Sequence, residues 1–155
     1  MKAIASLVLL VSLVAACSFR GGSSESSFTR DDCTPRDRGG RSVARVWNEA
    51  LLHAIERDTP APTVHARNLF HVSAAMWDAW AAYDTQADGW LVREKLNADD
   101  VRDARETALS YAAYRLLLHR YSYASGLQET FDELVSTLEG LCYRIDYVET
   151  DGDSP

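Results

Sequence analysis

The amino-acid sequence predicts an all-α protein in which four helices follow an export signal and a linker. From residue 42 onwards, apolar residues recur at three- and four-residue spacing, which is typical of helices with a buried side. Proline, glycine and N-capping residues interrupt this pattern and divide it into four segments. No segment shows the two-residue alternation of a β-strand. The predicted helices cover residues 42–58, 63–84, 98–121 and 126–139.

The first two helices differ in how their apolar residues are arranged. The first begins at Ser42, a favourable N-cap residue, and ends before Pro60. Its apolar side chains form a single stripe: Val43, Val46, Trp47, Ala50, Leu51, Ala54 and Ile55. The second helix, for which Thr63 is the predicted cap, is apolar on nearly every side. We therefore expect it to be the central helix, covered by its neighbours.

The last two helices are predicted from their end signals. Asp99 and Asp100 stand where acidic side chains favour the first turn of a third helix. Ser125 and Gln128 have the spacing of a capping box for a fourth helix. Gly140 is the predicted C′ residue that ends it.

The N-terminus has the features of a bacterial lipoprotein signal peptide. Lys2 supplies a positive charge, and Ala3–Ala16 is an apolar run of about 21 Å, which is short of the ~30 Å hydrocarbon core of a bilayer. The run ends in Leu13-Val14-Ala15-Ala16-Cys17, which is similar to a lipobox. We predict cleavage after residue 16, lipidation of Cys17 and, from the serine that follows, sorting to the outer membrane in a host that has one. An ordinary signal peptide followed by a cysteine is the alternative.

The remaining chain divides into three parts. Residues 17–41 are rich in glycine and serine and are predicted to be a flexible linker, residues 42–142 the helical domain and residues 143–155 an acidic tail. Cys33 and Cys142 can pair in an exported protein, which would join the linker to the end of the helical domain.

The charge of the chain limits its partners. A formal net charge of −7 argues against nucleic acid as a partner, since that affinity depends on neutralising phosphates. Arginines in the linker could touch anionic lipid headgroups, but the aspartates between them favour a solvated tether. The expected partner is therefore the membrane, through the lipid anchor.

No motif of an active or metal site is found in the helical part. Glu49 and His53 share a helix face, but the Glu-x-x-His spacing of diiron bundles and the His-Glu-x-x-His of zinc enzymes are absent. A nucleophile elbow, a catalytic-cysteine context and a phosphate-binding glycine loop are absent too. His71 and Asp78 predict a polar tie between helices, and a carboxylate–imidazole relay is the functional alternative. We assign no catalytic, cofactor-binding or metal-binding residue.

Several short motifs carry a family resemblance. They are Trp47-Asn48 at the start of a helix, the Pro60/Pro62 break, Ala66-Arg67-x-Leu69-x-His71 with Ala75-x-x-Asp78-Ala79-Trp80, and the segment Ala108–Arg115. These motifs are similar to the N-terminal helical region of vanadium-dependent haloperoxidase-like proteins, which are relatives of the phosphatidic acid phosphatase type 2 superfamily.

The resemblance implies that the catalytic motifs lie outside this chain. In that family the oxyanion site uses Lys-x6-Arg-Pro, Pro-Ser-Gly-His and Ser-Arg-x5-His-x3-Asp. Lys95 and Arg102 have the first spacing, but Asp103 replaces the proline. Leu127 stands where a histidine would follow Ser-Gly, and the third motif is absent.

We therefore expect a lipid-anchored scaffold domain that packs against a C-terminal catalytic bundle beyond the acidic tail. Vanadate would belong to a full-length relative, and no cofactor is expected in this chain. A stand-alone envelope lipoprotein that acts as a helical interaction or structural module is the alternative, and a small metalloenzyme has the least support. The scaffold hypothesis predicts a surface of exposed aromatic side chains, whereas the stand-alone module predicts a well-covered monomer.

Overall fold

Four α-helices account for the regular structure of residues 33–148, which are the residues that a computed structural model of the chain describes. The helices are α1 (Val43–Arg57), α2 (Pro62–Ala81), α3 (Val101–Arg120) and α4 (Leu127–Gly140). The described range contains no strand, so the predicted all-α, four-helix fold is confirmed. The predicted signal peptide, Cys17 and the last part of the acidic tail lie outside the described residues.

The helix starts follow from local chemistry. The side chain of Ser42 accepts a hydrogen bond from the backbone N–H of Arg45 at 3.2 Å, as its predicted role as N-cap requires. The first residue of α2 is Pro62 rather than the residue after Thr63, because proline suits the first helical turn, where its missing N–H needs no partner. At α3 the N-cap is Asp100, which accepts from the N–H of Asp103 at 3.0 Å.

The predicted capping box at α4 is wrong. The N-cap is Gly126, and no side chain bonds to the first turn. The Ser125 hydroxyl instead shares a 2.7 Å hydrogen bond with the hydroxyl of Thr59 in the α1–α2 turn, and the Gln128 amide donates to Asp132. The Ser125 side chain thus bonds to the α1–α2 turn and does not cap α4.

The C-terminal end of α4 also differs from the prediction. Gly140 is the last helical residue, and the left-handed C′ position is occupied by Cys142, with φ 64°. The N–H of Cys142 donates to Glu139 and the N–H of Tyr143 to Leu138, which is the Schellman pattern. A cysteine in this conformation costs roughly 1–2 kcal/mol relative to glycine, and the capping bonds offset that cost.

The central helix is α3, not the second helix as the apolar pattern predicted. α3 packs against α1, α2 and α4, whereas α2 packs mainly on α3 and does not reach α4. The core lies between α3, α1 and α4, and its largest fully buried side chains are Trp47, Tyr121, Leu51, Leu117, Leu134 and Leu138. Among residues 33–148, no helix covers one side of α2.

The described ends of the predicted linker and tail belong to the domain. Cys33 and Cys142 form a disulfide with their Cα atoms 5.7 Å apart, and the N–H of Arg36 donates to the Gly140 carbonyl at 2.8 Å. Gly140 allows this approach because a side chain there would press against the Arg36 guanidinium. Residues 33–41 thus lie on the end of α4 and are not free linker.

The start of the tail is held by aromatic contacts. Tyr143 is buried, and the ring of Tyr147 stacks on that of Tyr111 with centroids 4.9 Å apart. The Tyr111 hydroxyl donates to the Arg144 carbonyl at 2.9 Å. Tyr143 and Tyr147 of the predicted acidic tail therefore pack against Tyr111 of α3.

The disulfide is expected to stabilise the domain measurably. It closes a loop between cysteines 109 positions apart, and loops of that size typically contribute about 2–5 kcal/mol. The double variant Cys33→Ser/Cys142→Ser should therefore melt roughly 10 °C or more below the wild type in circular dichroism. Reductant should lower the melting temperature of the wild type by the same amount and leave that of the variant unchanged. Equal melting temperatures for the oxidised wild type and the variant would contradict this account.

Candidate functional site

The outer side of α2 carries apolar side chains that no other helix of the described part of the chain covers. Phe70 and Trp77, two turns apart on this side, are 54% and 47% exposed. The segment after α2 adds Trp90 and Leu91, which are 65% and 77% exposed. The Trp90 ring meets that of Phe70 edge-on at 6.4 Å, so the two elements form one surface. We call Phe70, Trp77, Trp90 and Leu91 the aromatic face.

A buried carboxylate fixes the segment that carries half of this face. Asp78, on the opposite side of α2 from solvent, accepts hydrogen bonds from the consecutive backbone N–H groups of Trp90, Leu91 (3.0 Å) and Val92 (3.1 Å). The turn needs glycine at Gly89, because a Cβ atom there would overlap the carbonyl oxygen of Val92. The Asp78 charge is thus satisfied by backbone donors, which are strong partners for a buried carboxylate.

Lys95 holds the other end of the same segment. Its ammonium group donates to the carbonyl oxygens of Ala81 (3.0 Å), Asp84 (2.9 Å) and Ala87. A cation at this place also suits the negative end of the helix dipole. α2 ends at Ala81, earlier than the predicted residue 84. Arg102, the other residue of the Lys-x6-Arg spacing, is 84% exposed and pairs with Glu106. The two side chains therefore do not form an oxyanion site.

A groove of about 590 Å³ runs between α2 and α3 beside the aromatic face. Small side chains line it from both helices: Ala74, Ala75 and Ala79 from α2, Ala82 at the C-cap of α2, and Ala108 and Ala112 from α3. Leu91, Val92 and Leu96 also line it. These small side chains leave the groove open between the two helices.

One end of the groove is cationic. The guanidinium of Arg120 lies with Nη2 2.6 Å from Nδ1 of His71, which links α3 to α2. The Arg120 Nε atom is buried without a hydrogen-bond partner. Among residues 33–148, no carboxylate forms an ion pair with Arg120. This arginine was not predicted as a site residue, although it follows Ala108, Ala112 and Leu116 at four-residue steps.

His71 and Asp78, the predicted polar tie, have separate partners. His71 binds Arg120 of α3, whereas Asp78 binds the backbone of the segment after α2. The two side chains do not bind each other, so the relay considered as the alternative does not form. Both residues line the groove, and each connects α2 to a different part of the chain.

The other polar groups near the groove are held in fixed states. Burial raises the pKa of Tyr83, which lines the groove and so stays protonated at neutral pH. The backbone N–H groups of Ala87 and Gln86 hold the pKa of Asp84 below its ordinary value, and Arg105 at 2.7 Å acts in the same direction. Asp84 therefore stays charged and paired with α3.

The remaining histidines show structural contacts. His53 of α1 lies 2.7 Å from the Glu133 carboxylate of α4, while Glu49 pairs with Arg41 and Arg45. His65 accepts from the N–H of its own helix's N-cap residue at 3.1 Å, and His119 is exposed. The described residues contain no group of three or more side chains that could hold a metal ion.

Replacement of Asp78 tests the anchoring of the segment. Asp78→Asn removes the charge from three hydrogen bonds, each of the kind typically worth about 1.5–3 kcal/mol. We expect the free energy of unfolding, measured in urea, to fall by at least about 1.5 kcal/mol, which is the contribution of one such hydrogen bond. Asp88→Asn in the same segment, where the backbone carbonyl and not the carboxylate accepts a bond from Trp77, is the control and should change little. Equal stability of the two variants would contradict the anchoring role.

Comparison of the chain with models of protein families, with curated proteins and with solved structures finds no match in any of the three. The haloperoxidase resemblance therefore stays a prediction. The aromatic face, the groove and Arg120 are the features from which a function can be inferred.

Proposed function

We propose that this chain is the lipid-anchored helical domain of a haloperoxidase-like or acid-phosphatase-like protein, without a catalytic site of its own. Its role is to dock on a catalytic helical bundle through the aromatic face. The observation that carries the proposal is the exposure of Phe70, Trp77, Trp90 and Leu91 on one side of the molecule. Contiguous apolar patches rimmed by polar residues are typical of interaction sites.

The aromatic face is suited to docking because it is held in one conformation. The Asp78 hydrogen bonds fix Trp90 and Leu91 from below, and the Trp77 indole N–H donates to the Asp88 carbonyl at 3.0 Å. A pre-organised surface loses less conformational entropy when a partner binds. A stand-alone module would be expected to cover such side chains, so their exposure favours the docking domain.

The placement of the disulfide supports the same arrangement. Cys142 follows α4, and α4 does not touch α2. A lipid tether that enters at Cys33 would thus reach the domain away from α2 and leave the aromatic face free. Among residues 33–148, no helix has the length and apolar character needed to cross a bilayer. The proposed attachment is through lipid on Cys17, in the outer membrane of a host that has one.

The chemistry in this proposal belongs to the docked bundle. Lys95 is bound to three carbonyl groups, and Arg102 lies exposed beside Glu106, so neither is arranged to hold an oxyanion. Vanadate or phosphate would be bound by the Lys-x6-Arg-Pro, Pro-Ser-Gly-His and Ser-Arg-x5-His-x3-Asp motifs of the partner bundle.

The test begins with the gene. The coding sequence after Pro155 and the adjacent genes are searched for the Pro-Ser-Gly-His motif. The helical bundle that carries this motif is then produced and titrated with this chain. We expect a one-to-one complex. Phe70→Glu/Trp90→Glu should weaken it by about 100-fold, because buried aromatic side chains supply much of the binding energy of an interface.

The control is Leu52→Glu on α1, which replaces a similarly exposed apolar residue outside the aromatic face. It should leave the affinity unchanged, and circular dichroism should show that both variants fold. The proposal fails if no such bundle is encoded with this chain. It also fails if the bundle binds the double variant as tightly as the wild type.

A further inference from the structure

We propose that the α2–α3 groove binds a carboxylate with an unbranched apolar chain, of which a fatty acid is the simplest example. The carboxylate would sit at Arg120, and the chain would lie along the alanines. This inference does not require the docked bundle, since it rests on the groove alone.

Arg120, at the cationic end of the groove, has no acidic partner among the described residues. Arg120 is partly buried, it forms no ion pair with a described carboxylate, and its Nε is buried without a hydrogen-bond acceptor. A buried N–H group without a partner is unfavourable, and a guanidinium presents paired N–H groups that match a carboxylate. A ligand carboxylate bound at the guanidinium would balance this charge.

His71 holds the Arg120 guanidinium in place. An arginine side chain only donates hydrogen bonds, so in its contact with Arg120 the Nδ1 atom of His71 is the acceptor. The guanidinium keeps its single positive charge in this contact, which balances the single charge of a carboxylate, whereas a phosphate monoester would bring nearly two charges.

The dimensions of the groove favour a single extended chain. From His71 to Ala81, the last residue of α2, the wall is about 15 Å long at 1.5 Å per residue. That length suits an extended chain laid along the small side chains of the two helices.

The rest of the groove presents no free charge to the chain. Asp78 lies about 10 Å along α2 from His71 at 1.5 Å per residue, and its carboxylate is occupied by the N–H groups of the 90–92 segment. Tyr83 is neutral because burial raises its pKa. The apolar alanines and Leu116 occupy the surface between. The polarity of the groove thus sets one orientation for the ligand.

The experiment uses the purified full chain and isothermal titration with dodecanoate, dodecan-1-ol and dodecyl phosphate. We expect dodecanoate to bind one-to-one and at least about 10-fold more tightly than dodecan-1-ol, which lacks the charge-assisted pair. Dodecyl phosphate should bind more weakly than dodecanoate, because the described groove offers one cation to nearly two negative charges. Arg120→Met should weaken dodecanoate at least about 10-fold and leave dodecan-1-ol unchanged. Arg102→Met, an exposed arginine of the same helix, is the matched control and should bind like the wild type.

Two variants locate the ligand. Ala112→Leu and, separately, Ala75→Leu place a larger side chain in the groove and should abolish binding of both dodecanoate and the alcohol, while circular dichroism reports that they fold. The inference is overturned if folded wild-type protein does not bind dodecanoate, or if neither leucine variant weakens binding. Equal affinities for dodecanoate and dodecan-1-ol would overturn the role of Arg120.

If dodecyl phosphate bound more tightly than dodecanoate, the ligand would be a phosphate ester and not a carboxylate. Dimerisation of the chain through the groove, seen by sedimentation and abolished by the leucine variants, would make a second copy the occupant instead. None of these titrations uses a catalytic bundle. A failure of the groove to bind dodecanoate is therefore distinguishable from a failure of the aromatic face to dock.

Discussion

The carboxylate of Asp78 is the interaction on which both candidate surfaces depend. It accepts three consecutive backbone N–H groups and thereby fixes residues 90–92 against α2. Trp90 and Leu91 supply half of the aromatic face, and Leu91 and Val92 form a wall of the groove. Connections of this length without regular structure are uncommon in compact domains and are often functional. Here a buried charge gives such a connection a defined shape.

The one-sided packing of the domain explains why these surfaces exist. The large core side chains, such as Trp47 and Tyr121, gather where α3 meets α1 and α4, and the disulfide and Tyr147 close that side. On the other side α2 packs mainly against α3, with a smaller contact to α1. Its alanines allow the contact with α3 but leave a groove beside it, and Phe70 and Trp77 face outward. The described residues therefore cover only part of a helix that is apolar on nearly every side.

Apolar periodicity, the proline break after the first helix and local end signals were sufficient to predict the four helices, because those signals are local. The cap at Ser42 was predicted for the same reason, since its partner is only three residues away. The capping box at Ser125 failed because that hydroxyl found Thr59, far away in the chain. The disulfide, which the two cysteines allowed, and the stack of Tyr147 on Tyr111 tie the described ends of the predicted linker and tail to the domain. For the site, the sequence singled out His71 and Asp78 but not Arg120. Arg120 stands out only in the structure, where none of the described carboxylates forms an ion pair with it.

The central claim is that Asp78 holds the exposed apolar segment rigidly, and amide hydrogen exchange of the wild-type chain tests it most directly. The N–H groups of Trp90, Leu91 and Val92 should exchange at least about 100-fold more slowly than those of Arg93 and Glu94, because only stable hydrogen bonds protect exposed segments. Exchange of all five amides at the rate of an unstructured chain would contradict the account. The aromatic face would then have no fixed shape with which to meet a partner.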